Sequence, residues 1–231
     1  MLDKGFSIIP DINVQYKRYG SDYGGWNIVD SLLDENSIIY SAGIGEDISF
    51  DKALIEEKDV IIYAFDPTPK SIRWVTKQKL PNNFILHEYG MADFDGFVQF
   101  NPPENPKHVS YTILDRPSTE GKAIKVPMKR LSTIMRELDH DSIDLLKMDI
   151  EGAEYSVIDD MKTSGIYPKQ ILVEFHHRFP GVGIKKTMAS IETIKRMGYW
   201  LFWVSDSKEE CGFLRKTSKL KQQATLSSSC H

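Results

Sequence analysis

The sequence predicts an α/β fold, a three-layer sandwich with helices on both faces of a seven-stranded, mostly parallel sheet whose last strand runs antiparallel. Two observations predict it. Short β-rich apolar runs alternate with stretches of helical periodicity, the pattern of successive βαβ units. The two runs that close the chain, Tyr199–Val204 and Cys211–Arg215, lie about six residues apart, too close for a helical crossover, so they must pair antiparallel. A length of 231 residues suits one well-buried core and is short for two.

The elements follow in order. Ser37–Tyr40 is the first clear strand, running into Ser41-Ala42-Gly43-Ile44-Gly45. A helix is predicted from Asp47 to Lys58, with Phe50, Ala53 and Leu54 on one face. Val60–Phe65 is the second strand; it ends at Asp66-Pro67 and leads into a helix with Ile72 and Val75 inward. Asn83–His87 is the third, and Asp95-Gly96 reads as a hairpin turn into Phe97–Phe100. From Asn101 to Gly121 four prolines break any regular element, and a long irregular loop of that kind is expected to cover a site. Ile143–Met148 is the fourth strand of the main sheet, followed from about Gly152 by a helix burying Ala153, Val157, Ile158 and Met161. Gln170–Phe175 is the fifth, and the next helix turns Ile184, Met188, Ile191 and Ile194 inward. Residues 1–36 are expected to pack over the pocket, 37–216 to form the domain, and 217–231 to be a polar, frayed tail.

Composition excludes several functions. A net charge of −4 exerts no long-range pull on nucleic acid or an anionic membrane. Two unpatterned cysteines, Cys211 and Cys230, make neither a disulfide scaffold nor a zinc site. The apolar run Phe6–Ile9 is too short for a secretory core, and no run reaches membrane-spanning length, so a cytoplasmic location is expected. Oligomeric state is not encoded in any readable feature.

The chemistry-bearing residues begin with Gly43-Ile44-Gly45, between a strand and a helix. Alone, these glycines read equally well as an ordinary tight turn. Asp66 ends the next strand, 21 residues beyond Gly45, where an acidic side chain can accept hydrogen bonds from both hydroxyls of a ribose. Ile48 stands where a dinucleotide turn would carry its third glycine, so the pyrophosphate cradle is incomplete. A nucleoside without phosphate, such as a methyl donor, is therefore preferred to a nicotinamide cofactor, with a nicotinamide oxidoreductase as a rival.

Lys147-Met148-Asp149-Ile150-Glu151-Gly152-Ala153-Glu154 closely resembles the hallmark segment of FkbM-type S-adenosylmethionine-dependent methyltransferases. Tyr63–Pro69, Tyr40–Asp47, Tyr23–Trp26 and Val173–His176 are similar to other motifs of that family, and the resemblance runs from about Lys17 to Arg215. It implies a Rossmann-like methyltransferase fold that binds S-adenosylmethionine over Gly43, Gly45 and Glu46. The ribose would lie on Asp66 beside Pro67, and the adenine near Met91 and Ala92. It also implies methyl transfer to a hydroxyl of a small-molecule or glycan acceptor. Many methyltransferases carry an acid at the position of Ser41 and glycine at that of Asp47, so this chain must hold the donor differently. The same departure keeps open a non-catalytic nucleoside-binding or regulatory protein of this fold.

Asp149, Glu151, Glu154, Glu174 and His176 form a concentrated ionisable set at strand ends. His176 is the expected general base, oriented by a carboxylate such as Glu174, with Asp149 at the pocket floor contacting donor or acceptor. Glu154 reads as a charge favouring the start of the next helix. A divalent cation held by the carboxylates and His176 is the rival arrangement; the leading reading needs no metal.

Overall fold

A computed structural model describes residues 7–100 and 124–216. In chain order its first strands are β1 (Lys17–Tyr19), β2 (Trp26–Ile28), β3 (Ile38–Ala42), β4 (Ile61–Phe65) and β5 (Phe84–His87). Then come β6 (Gly90–Ala92), β7 (Gly96–Phe100) and β8 (Ile124–Arg130). The last are β9 (Leu145–Met148), β10 (Gln170–Glu174), β11 (Tyr199–Val204) and β12 (Glu210–Arg215). The helices are α1 (Ser49–Lys58), α2 (Pro69–Val75), α3 (Leu131–Glu137), α4 (Glu154–Ser164) and α5 (Ile184–Arg196).

Seven strands make the central sheet in the order β11-β12-β10-β9-β3-β4-β5, with β12 antiparallel to both its neighbours and the other pairings parallel. Side chains alternate across it, as a strand requires. Ile39, Leu145, Leu172 and Leu214 face one core with Leu54 and Val75 from α1 and α2. Tyr40, Leu146, Ile171 and Phe213 face the other, with Ile134, Ile158 and Ile191 from α3, α4 and α5. A strand buried on both sides must read as a continuous apolar run, which is why the core strands were plain in the sequence. The chain moves outward in opposite directions from β3 and β9. This switch point opens a crevice beyond their carboxyl ends.

Two expectations about local structure change. Asp95-Gly96 does not close a hairpin: β8 lies between β6 and β7, parallel to the first and antiparallel to the second. The Asp95 carboxylate accepts hydrogen bonds from the Arg130 amide and the Thr133 hydroxyl, so it anchors β8 and α3. Lys129 and Arg130 end β8 directly ahead of α3, and the Arg130 guanidinium pairs with Asp160 on α4. Helix α1 begins at Ser49 because the Asp47 carboxylate accepts the Ser49 amide at 2.7 Å, fixing an Asx turn ahead of the helix. The ribbon of β1 and β2 was not expected. The stretch 101–121, read as an irregular cover, and the tail 217–231 lie outside the described residues. No helix among the described residues is long and apolar enough to cross a membrane.

Candidate active site

A cavity of about 710 Å³ occupies the switch-point crevice. Its wall takes Gly43 to Asp47 after β3, Asp66 to Thr68 after β4, and Met91 of β6. Lys147, Asp149 and Glu151 line it at β9, Glu174 at β10, and residues 22–26 from the β1–β2 turn. The size suits a nucleoside-sized ligand.

The glycines are required by geometry. Gly43 and Gly45 have φ of +78° and +58°, in the left-handed region. A Cβ on Gly43 would overlap the Asp149 carbonyl oxygen, so the loops after β3 and β9 touch backbone to backbone. Asp66 stands against this turn, as expected, and its surroundings add a second role. Only 4% exposed, it accepts the Ile44 and Gly45 amides at 3.0 and 3.1 Å through Oδ2, and the Thr68 amide and hydroxyl at 2.8 and 2.6 Å through Oδ1. Four donors match the roughly four lone-pair sites of a carboxylate. A ribose would therefore have to replace some of these bonds. Glu46, Pro67 and Met91 line the cavity; Ala92 does not, and packs with Val126 and with Phe100 and Met128, which do line it.

The ionisable set converges, with altered partners. Glu151 and Gly152 have φ of +52° and +106°, a bend that delays α4 to Glu154 and leaves Glu151 on the cavity wall. Glu154 is fully buried. Its Oε2 accepts the Gly152 amide at 2.8 Å; its Oε1 accepts the His176 amide at 3.0 Å and lies 3.2 Å from His176 Nδ1. His176 Nε2 lies 3.4 Å from Glu151 and 3.6 Å from Asp149. So Glu154, rather than Glu174, orients the imidazole. The 22-residue separation hid this pairing.

The surrounding charges and burial shift the proton affinity of both His176 and Glu174. Burial alone works against an imidazolium, but the Glu154 hydrogen bond and the charges of Glu154, Asp149 and Glu151 outweigh it and push the His176 pKa up to about 10. That direction favours the protonated imidazolium, the form that holds a proton rather than accepting one. Glu174 moves the other way in function: burial first, then the Asp149 charge, raise its pKa to about 8 against the opposing pull of His176. At neutral pH it is therefore largely protonated, and it becomes a strong proton acceptor as pH rises through about 8. Asp149, Glu151 and His176 each offer one ligand atom, all within 4.8 Å of one another, and a divalent cation there would have to displace the imidazolium proton.

Residues 36–214 match the profile described as the methyltransferase FkbM domain. The human probable methyltransferase-like protein 24 is 22% identical over 186 residues, covering 80% of this chain and 42% of that protein. The rat protein of that name is 21% identical over 173 residues, covering 74% of this chain and 39% of its own. The chain thus spans about two fifths of the length of these curated relatives. Among solved structures, methyltransferase FkbM from Methylobacillus flagellatus KT is similar with a TM-score of 0.52 at 14% identity, covering 79% of this chain and 44% of that one, a likeness of fold. The profile spans every strand of the central sheet but the last residue of β12, together with the turn, the bend and the histidine described above. This chain belongs to the FkbM methyltransferase family.

Proposed function

We propose that the protein transfers a methyl group from S-adenosylmethionine to a hydroxyl of a small-molecule or glycan acceptor, with Glu174 receiving the hydroxyl proton. One observation carries the reading. A glycine turn and a carboxylate held against it form one wall of the switch-point cavity, while a carboxyl of raised basicity faces the same space.

S-adenosylmethionine, when bound, supplies an electrophilic methyl on a cationic sulfonium. The chain's own residues supply the rest. Carboxylates dominate the charged lining and favour a cation in the cavity. Glycines at 43 and 45 leave the turn open to close approach. Asp66 holds that turn, and ribose hydroxyls would exchange for part of its amide contacts. Asp149 lies at the floor to orient the acceptor. The His176 imidazolium, braced by Glu154, keeps the Asp149 and Glu151 carboxylates together. Glu174 takes the acceptor proton.

A second reading, binding without turnover, is favoured by the Asp66 carboxylate's full set of internal donors. Titration calorimetry with S-adenosylmethionine and S-adenosylhomocysteine tests both. Heat with either ligand supports the donor site, and no heat with either removes it. Turnover of a hydroxyl acceptor that is lost in Glu174→Gln, with donor affinity kept, separates catalysis from binding alone.

A further inference from the structure

Among the described residues, the cavity wall holds eight carboxylates and a single cationic side chain, Lys147. That ammonium is buried, with the residue 6% exposed. Its Nζ donates to the Gly43 carbonyl at 2.6 Å and lies 5.8 Å from the centre of the Trp26 ring. An ammonium has three donors, and among the described residues only the Gly43 carbonyl accepts one. The buried Asp51, which is not on the cavity wall, also feels the Lys147 charge, while Lys147 itself lines the cavity with donors beyond the Gly43 bond. A desolvated cation needs such partners.

Asp47 lines the cavity in the same region. Its carboxylate is held rigidly by the Ser49 amide and the Ser21 hydroxyl, both at 2.7 Å, and a Cβ on Gly24 would lie 2.7 Å from its Oδ2. Burial raises its pKa, but those hydrogen bonds and the Lys147 charge outweigh burial and keep the group ionised. Ser41, where many methyltransferases carry an acid, is fully buried and absent from the cavity wall. The negative charge has moved from the strand to the turn beyond it and has gained a cation beside it.

We propose that Asp47 and Lys147 form a recognition site for a free α-amino acid group, Asp47 receiving the ammonium and Lys147 the carboxylate. Given the methyl-donor reading, on which this rests, the group is the amino-acid end of S-adenosylmethionine and of its demethylated product. A zwitterion needs both charges within one small region of the wall, and no other basic side chain of the described lining offers the positive one.

The test compares S-adenosylhomocysteine with 5′-methylthioadenosine, which shares the nucleoside and thioether but lacks the amino-acid group. Both are titrated calorimetrically into the full chain and into Lys147→Met and Asp47→Asn, with thermal midpoints measured alongside. The expected result is at least a tenfold loss of S-adenosylhomocysteine affinity in each variant, with a clearly smaller loss for methylthioadenosine. If Lys147 is only a counter-ion for the buried Asp51, its removal will lower the thermal midpoint and affect the two ligands equally, which overturns the proposal. Should Lys147→Met fail to fold, the half-buried Asp47→Asn decides by the same ligand comparison. A wild-type chain that binds neither ligand fails at the donor reading itself. One that binds both equally well refutes only the amino-acid site.

Discussion

Replacing Glu154 by glutamine removes one charge and almost no volume, and the structure says what this should do. Raising the His176 pKa from its ordinary 6.5 to about 10 corresponds to about 5 kcal/mol of net favourable interaction with the imidazolium, at 1.36 kcal/mol per pH unit. Glu154 supplies the two largest raising contributions, and breaking a buried ion pair by removing one partner costs about 3–5 kcal/mol. Because the folded-state pKa is raised, this stabilisation is fully present below pH 6.5 and is lost as pH climbs through about 10. Urea unfolding of wild type and Glu154→Gln at pH 6, 8 and 10 is the assay. The variant should be about 3 kcal/mol less stable at pH 6, equivalent to a fall of roughly 6–12 °C in a parallel thermal melt, and the gap should close toward pH 10. Proton NMR of the His176 ring should show its titration moving to lower pH in the variant. A gap below about 1 kcal/mol at pH 6, or one unchanged with pH, would refute the buried ion pair as the organiser of this cluster.

Three further outcomes follow. Glu174→Gln should lower methyl transfer by about 10²–10⁴-fold with donor affinity retained, and wild-type activity should rise with pH through a limb near 8 as the carboxyl deprotonates. A pH–rate profile of wild type and variant checks both. Gly43→Ala should yield no natively folded protein, because its Cβ would overlap the Asp149 carbonyl and its φ suits glycine; circular dichroism and gel filtration read this directly. Asp66→Asn turns an amide group against the donors that the carboxylate accepts, and should cost about 3 kcal/mol in a chemical melt and weaken donor binding in calorimetry.

The central sheet was legible because its strands are buried on both faces and so appear as unbroken apolar runs, Ile143–Met148 and Gln170–Phe175 most clearly. The antiparallel close was legible from spacing alone. The smaller sheet was not: β7 has its partner in β8, beyond a long intervening stretch, and a local turn signal at Asp95-Gly96 carries no information about a strand so distant. Within the site, Gly43, Gly45 and Asp66 were readable because motif spacing encodes a contact between neighbouring strand ends. The charge state of His176 was not, since it depends on three carboxylates brought together by the bend at Glu151 and Gly152. Lys147 looked like a strand residue among apolar neighbours, and only the fold shows its ammonium against the glycine turn.

The backbone contact at Gly43 ties together two regions that chemistry would otherwise let vary separately. Its amide donates to Phe65, its carbonyl receives Lys147, and its Cα lies against the peptide of Asp149, whose own amide returns to Ala42. A ligand that shifts the turn after β3 must therefore carry the end of β9 with it. On the proposed reading, moving Asp149 to admit a new acceptor will disturb the donor's seat as well, and the two specificities have to be altered as one unit.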